Sequence, residues 1–279
     1  MIFPFSDVAL ARRLERAEAE GGARFVEARS RIALDSGAAW IDVAGTYAMF
    51  DGPLSPVTQT FGFGLFAPPS VEHLIEIERF YRQRGAPVFH EVSPLADAAH
   101  AALLGERGYH PFEFTSVMYR PIAPQTPTLT LRQAQGERQE GEAITVRTIG
   151  PDECALWSAT AAAGWSETRD LGDFMLDVAR VQADRRDTRL FLAEQNGRAI
   201  ATGALCLNEG IALLAGASTI PEGRGRGAQL ALLSSRLAYA ADHGCDLAMM
   251  CALPGSGSQR NAERHGFRIA YTRMKWRLL

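Results

Sequence analysis

I-P-E-G-R-G-R-G-A-Q, residues Ile220 to Gln229, places three glycines and two arginines between a β-like run, Ala212 to Thr219, and an apolar-periodic helix. Glycine admits positive φ angles and lets a backbone approach a ligand closely. A helix start adds unpaired N–H groups and the positive end of the macrodipole. Gly223, Gly225 and Gly227, interleaved with Arg224 and Arg226, therefore read as an anion cradle suited to a phosphate or pyrophosphate. The following helix is expected over 228–243 with Leu230, Leu233, Leu237 and Ala241 on its buried side, stopped by Gly244.

Two phosphate loops fail on spacing. A P-loop needs Lys-Ser or Lys-Thr after its glycines, and none is present. A dinucleotide fingerprint needs G-x-G-x-x-G early in a βαβ unit, whereas these glycines alternate late in the chain. The segment instead resembles motif A of the GNAT family of acetyl-CoA-dependent N-acetyltransferases, [QR]-x-x-G-x-[GA]. Arg224, Gly227 and Gln229 fall on its first, fourth and sixth positions, with Gln229 where Gly or Ala is usual. A second stretch, Ser258 to Phe267 (S-Q-R-N-A-E-R-H-G-F), resembles the helix that closes GNAT domains in G-F. Ser258 stands at that motif's small position. Gly255 replaces the Asn that often opens the motif, and Asn261 lies one turn further on. Ala262 occupies the place where many members carry a Tyr that protonates departing coenzyme A.

Composition sets the frame. The 279 residues exceed one typical domain, and 47% hydrophobic with 22% charged residues describes a globular chain able to build cores. A net charge of −3 gives no sign of a nucleic-acid partner. Cys154, Cys206, Cys245 and Cys251 are scattered without metal-ligand spacing and read as reduced core residues, so no metal is expected. The start, M-I-F-P-F-S-D, lacks a basic leader, and no apolar run reaches the roughly 18 residues of a membrane span. A cytoplasmic protein with no membrane partner is the expectation; the oligomeric state is left open.

The order of elements repeats. The first half reads as a helix capped by Ser6 (7–19), a break at Gly21-Gly22, a second helix (23–34), and a hairpin over 39–50. A strand (58–66), a helix capped by Ser70, a strand (86–92), a helix (94–107) and a strand (109–119) follow. The segment 121–143, rich in Pro, Thr, Gln, Gly and Glu, interrupts the pattern. The second half then gives two helices, strands at 190–194 and 199–208 joined by Asn196-Gly197, the glycine loop with its flanking strand and helix, and strands at 246–252 and 268–279. The expected class is α+β: two GNAT-like domains, each a twisted mixed, mostly antiparallel sheet flanked by helices. The boundaries are 1–122 for a degenerate copy, 123–143 for a polar linker, and 144–279 for the acetyl-CoA-binding domain. The first copy is degenerate because Pro68 and Pro69 stand where the second has its glycines, removing N–H donors and close approach.

The resemblance implies acetyl-CoA as co-substrate. Its pyrophosphate would lie on backbone N–H groups of Gly223, Arg224, Gly225, Arg226, Gly227, Ala228 and Gln229, with its arm along Ser218, Thr219 and Ile220; Ser258 and Asn261 belong to the same cofactor set. It also implies direct transfer to an amine, here of a small molecule. Glu167, in the G-W-S-E-T-R-D loop, is a candidate base or a surface carboxylate; Asp170 and Glu222 are alternatives. Trp165 is placed to wall an apolar or aromatic substrate. Tyr271 is a substitute acid or an ordinary strand aromatic. A non-catalytic acetyl-CoA-binding sensor or interaction protein remains the alternative function.

Overall fold

The computed structural model describes residues 2–123, 143–167 and 171–278. In chain order its elements are α1 (Val8–Ile32), β1 (Ala39–Val43), β2 (Thr46–Phe50), β3 (Gln59–Phe61), α2 (Val71–Arg82), β4 (Phe89–Val92), α3 (Ala99–Glu106) and β5 (Tyr109–Pro121). There follow β6 (Ile144–Thr148), α4 (Cys154–Ala163), α5 (Gly172–Asp184), β7 (Thr188–Gln195), β8 (Arg198–Asn208) and β9 (Ile211–Thr219). The chain ends with α6 (Ala228–Asp242), β10 (Leu247–Ala252), α7 (Gly257–Arg264) and β11 (Arg268–Leu278). The class is α+β, as the sequence predicts. All but two end residues of the expected 123–143 linker, and Asp170, lie outside the described residues.

The chain forms two compact bodies, and their boundary corrects the expected one. Residues 122–248 form one; residues 2–121 join 249–279 in the other. The last segment belongs with the N-terminal half because β11 is hydrogen-bonded between β4 and β5, antiparallel to both. Sequence periodicity identifies a strand but not its neighbour in the sheet.

In the body containing the N-terminal half, the strand order is β1-β2-β3-β4-β11-β5, with β3 and β4 the parallel pair. Helix α1 runs unbroken through Gly21-Gly22, correcting the expected interruption. A Cβ on Gly22 would lie 2.4 Å from Met49 Sδ, so the glycine serves close helix–sheet approach rather than a break. Its N-cap is Asp7, which accepts from Leu10 N at 2.9 Å, and not Ser6.

In the 122–248 body the antiparallel order is β9-β8-β7-β6. The turns Asn196-Gly197 and Glu209-Gly210 have positive φ at both residues, the geometry that two-residue hairpins require. Trp157 on α4 is 1% exposed and anchors a core with Leu190, Leu192 and Ala204. Helix α6 buries Leu232, Leu233, Arg236 and Ala240, a stripe rotated from the expected one; Leu230 is exposed.

Candidate functional site

The site grows from a break in strand pairing. Residue Thr202 of β8 faces Ser218 of β9, yet Ala204 faces Ala215, so Gly216 and Ala217 together stand opposite Gly203. This is a β-bulge, which bends a strand and re-aims its side chains. Gly216 has φ +59°, and a Cβ there would approach Ala204 Cβ at 3.1 Å and the Trp157 ring at 3.2 Å. The bulge is pinned from both flanks. Thr202 Oγ1 donates to Gly216 O at 3.1 Å, and Arg236 Nη1 donates to Ala204 O and Ala215 O at 3.3 Å each. Burial alone draws the Arg236 pKa down to about 10.

Beyond the bulge, β9 runs into the glycine loop. Ile220 N donates to Ile200 O at 3.0 Å, and a Cβ on Gly223 would meet Ile200 Cβ at 3.0 Å and Ile200 O at 3.1 Å, so this glycine is packed inward. Gly225 is different: its φ is +73° and a Cβ on it would meet nothing within 4 Å. Gly227, at φ +85°, opens α6 without any side-chain cap. The leading N–H groups of a 15-residue helix therefore have no capping side chain among the described residues, a fit for an anionic diphosphate. Helix α2 of the other body offers a contrast. Ser70 Oγ accepts from His73 N at 3.3 Å and fills its start.

Helix α4 leads to the same place. Ser218 Oγ donates to Ala161 O at 2.8 Å, and a Cβ on Gly164 would fall 1.9 Å from Ser218 Oγ, so the helix end presses on β9. Arg224 Nη2 donates to Gly164 O at 3.0 Å, while Nη1 pairs with Glu167. Gln229 Nε2 donates to Ser218 O and to Thr219 Oγ1, both at 2.9 Å. Arg226 donates to Gln195 at 2.9 Å, and Glu222 lies 3.9 Å from Arg198 with both side chains exposed.

Two hollows meet at this point. One, of about 430 Å³, is lined by Gly164, Glu167, Thr219 and Arg224 together with Trp165, Ala217 and Ser218. The other, of about 260 Å³, is walled by Trp157, Met175, Val178 and Gln182 and shares Trp165, Ala217 and Ser218 with the first.

Solved structures with this architecture include a GCN5-related N-acetyltransferase from Kribbella flavida, at TM-score 0.57 and 18% identity, covering 92% of this chain and 95% of that one. Another from Sphaerobacter thermophilus has TM-score 0.51 and 20% identity, covering 78% and 71%. A tandem GNAT protein from the clavulanic acid biosynthesis pathway has TM-score 0.54 and 16% identity, covering 82% and 72%. The chain has the tandem GNAT fold. No family model and no curated protein matches its sequence.

Within this GNAT fold, Ser218, Thr219, Ile220, the loop from Gly223 to Gln229, Trp165 and Glu167 are brought together in the 122–248 body. Ser258 and Asn261 are exposed on α7, which belongs to the other body. Tyr271 also belongs to the other body. It lies 7% exposed there, its hydroxyl donating to Glu15 at 2.8 Å, and burial holds its pKa well above the usual tyrosine range. Of the backbone groups expected along the arm, Ser218 O accepts from Gln229 and the Ile220 N–H donates to Ile200 O. Arg236 and the second hollow escaped the sequence reading. The signal for the bulge was Gly216, an isolated glycine inside a strand. Met175, Val178, Ala179 and Gln182 lie at i, i+3, i+4 and i+7, a spacing that also suits ordinary core.

Among the described residues, no helix is long and apolar enough to cross a membrane.

Proposed function

We propose that the 122–248 body binds acetyl-CoA at the glycine loop and transfers its acetyl group to the amine of a small-molecule acceptor. The observation that carries this reading is the uncapped start of α6 at Gly227, open at Gly225 and adjoining a hollow that leads to an apolar cavity. Backbone N–H groups from Gly225 to Gln229 hold the pyrophosphate, those of Gly223 and Arg224 being used on Ile220 O and Pro221 O, and Arg224 and Arg226 add charge-assisted contacts. Bound there, acetyl-CoA supplies a thioester carbonyl for attack by the acceptor nitrogen. Glu167, on the hollow that borders Arg224, takes the proton released as the N–C bond forms. The C–S bond breaks toward a thiolate, which solvent protonates: Ala262 has no proton to give, and the Tyr271 hydroxyl is engaged by Glu15.

The same absence favours a second reading, a non-catalytic acetyl-CoA sensor. Calorimetry followed by thiol release separates the two. The wild type is expected to bind acetyl-CoA in the micromolar range. Arg226→Ala weakens binding without changing the backbone, and Gly227→Trp abolishes it. Amine-dependent thiol release establishes the transferase; binding without release across an amine panel supports the sensor. No binding by the wild type refutes both readings.

A further inference from the structure

Resting on the transferase reading, we infer that the acceptor is a compact amine with an apolar body, aromatic or branched aliphatic, and not a polycation. Among the described residues, the wall of the cavity of about 260 Å³ beside the bulge has no acidic or basic side chain. Its volume lies just below the range of ligand sites, which run from roughly 300 to 1,000 Å³, so a guest must be compact. Its polar side chains are already engaged. Ser218 Oγ is bonded to Ala161 O, and Gln182 is bonded to Arg185 at 3.2 Å and to Thr188 at 3.4 Å. The indole N–H of Trp157 is likewise used, donating to Phe191 O at 3.1 Å. What remains for a guest is aromatic and aliphatic surface from Trp157, Trp165, Met175 and Val178.

Placement of the amine follows from the shared wall. Trp165, Ala217 and Ser218 line both hollows, and the carboxylate available to a cationic head, Glu167, lies in the larger one beside Arg224. A guest with one amine therefore seats its hydrocarbon in the smaller cavity and its nitrogen at the junction. A polyamine or aminoglycoside would have to bury further ammonium groups where the described wall offers no counter-charge, which is strongly unfavourable. The bulge at Gly216 and the indole wall at Trp157 thus set acceptor class as well as core packing.

The test uses the full chain with 2-phenylethylamine, spermidine and kanamycin as probes, and acetyl-CoA binding measured separately. We expect 2-phenylethylamine to bind by calorimetry and to support thiol release with kcat/KM at least tenfold above either polycation. Val178→Trp, which fills the cavity, should lower that kcat/KM at least tenfold while the Kd for acetyl-CoA stays within twofold. Trp165→Ala, at a half-exposed position that leaves folding intact, should weaken 2-phenylethylamine at least fivefold. If acetyl-CoA binds but spermidine or kanamycin is the better acceptor, or if neither variant alters 2-phenylethylamine, the inference is overturned and the transferase reading survives. If acetyl-CoA fails to bind while 2-phenylethylamine binds and Val178→Trp removes it, the apolar amine site is upheld and the transferase reading fails. If neither binds, both are overturned.

Discussion

The guanidinium of Arg236 rests on the backbone of Gly203, so closely that a Cβ there would stand 3.0 Å from Cζ and 3.1 Å from Nε. Gly203 is the β8 residue opposite the bulge, and Arg236 supplies the donors for the carbonyls on its flank. Gly203→Ala should push the guanidinium off those carbonyls and cost about 1–3 kcal/mol. Arg236→Met should cost a similar amount by leaving them unpaired. Because both substitutions damage one contact, the double variant should lose less than the sum. Urea unfolding of the four proteins measures this, and strict additivity would show that the two residues do not act together.

Glu15 carries the pH dependence of the other body. It is wholly buried, its Oε1 lies 3.1 Å from Arg273 Nε, and the same guanidinium contacts Glu18 and, at 3.0 Å, Glu91. Burial is the main cause that raises its pKa to about 7, against a partial opposing effect of Arg273. The unfolded chain releases this proton near pH 4.5, so between there and pH 7 the folded state holds more protons than the unfolded. Stability therefore falls as pH rises across that window. From pH 4.5 to 8 the wild type should lose on the order of 3 kcal/mol more than Glu15→Gln. Parallel pH profiles for the two proteins would place the buried proton elsewhere.

Local chemistry made most elements legible from the sequence. Asn196-Gly197 and Ala44-Gly45 mark hairpins because positive φ is needed there, and both turns have it. The glycine loop was readable because a strand, alternating glycines and a helix occur together in one short stretch. What stayed hidden is what sequence spacing does not encode. The pairing of β11 with β4 and β5 joins residues far apart in the chain. The buried stripe of α6 was misread because Arg236 is charged and buried, its donors satisfied by carbonyls of the bulge. Tyr271 alternates like any strand aromatic, and only the arrival of Glu15 from α1 gives its hydroxyl a partner.

Gln229 occupies the carbonyl that the cofactor arm is proposed to use. Its Nε2 holds Ser218 O and Thr219 Oγ1, tying the first turn of α6 to the end of β9. Ser218 O keeps a second lone pair, so an incoming N–H must share this carbonyl with Gln229 or displace the side chain. Gln229→Ala should therefore tighten acetyl-CoA about threefold to tenfold, the equivalent of one hydrogen bond at roughly 0.5–1.5 kcal/mol. Calorimetry reads the change directly. Weaker binding by the variant would mean that Gln229 contacts the cofactor itself rather than competing with it.

Glu167 and Arg224 now hold each other, although the proposed chemistry needs them apart. The pair is open to solvent, with side-chain exposures of 61% and 48%, so breaking it costs between 0 and about 1 kcal/mol. An incoming diphosphate competes for Arg224 and releases the Glu167 carboxylate in the larger hollow, which shares with the smaller one the wall where an acceptor amine would stand. Glu167→Gln should leave the unfolding midpoint almost unchanged. It should reduce amine-dependent thiol release about 100-fold or more. Arg224→Ala should instead raise the KM for acetyl-CoA. If Glu167→Gln retains the rate, the amine proton leaves by another route and Glu167 serves only to hold Arg224.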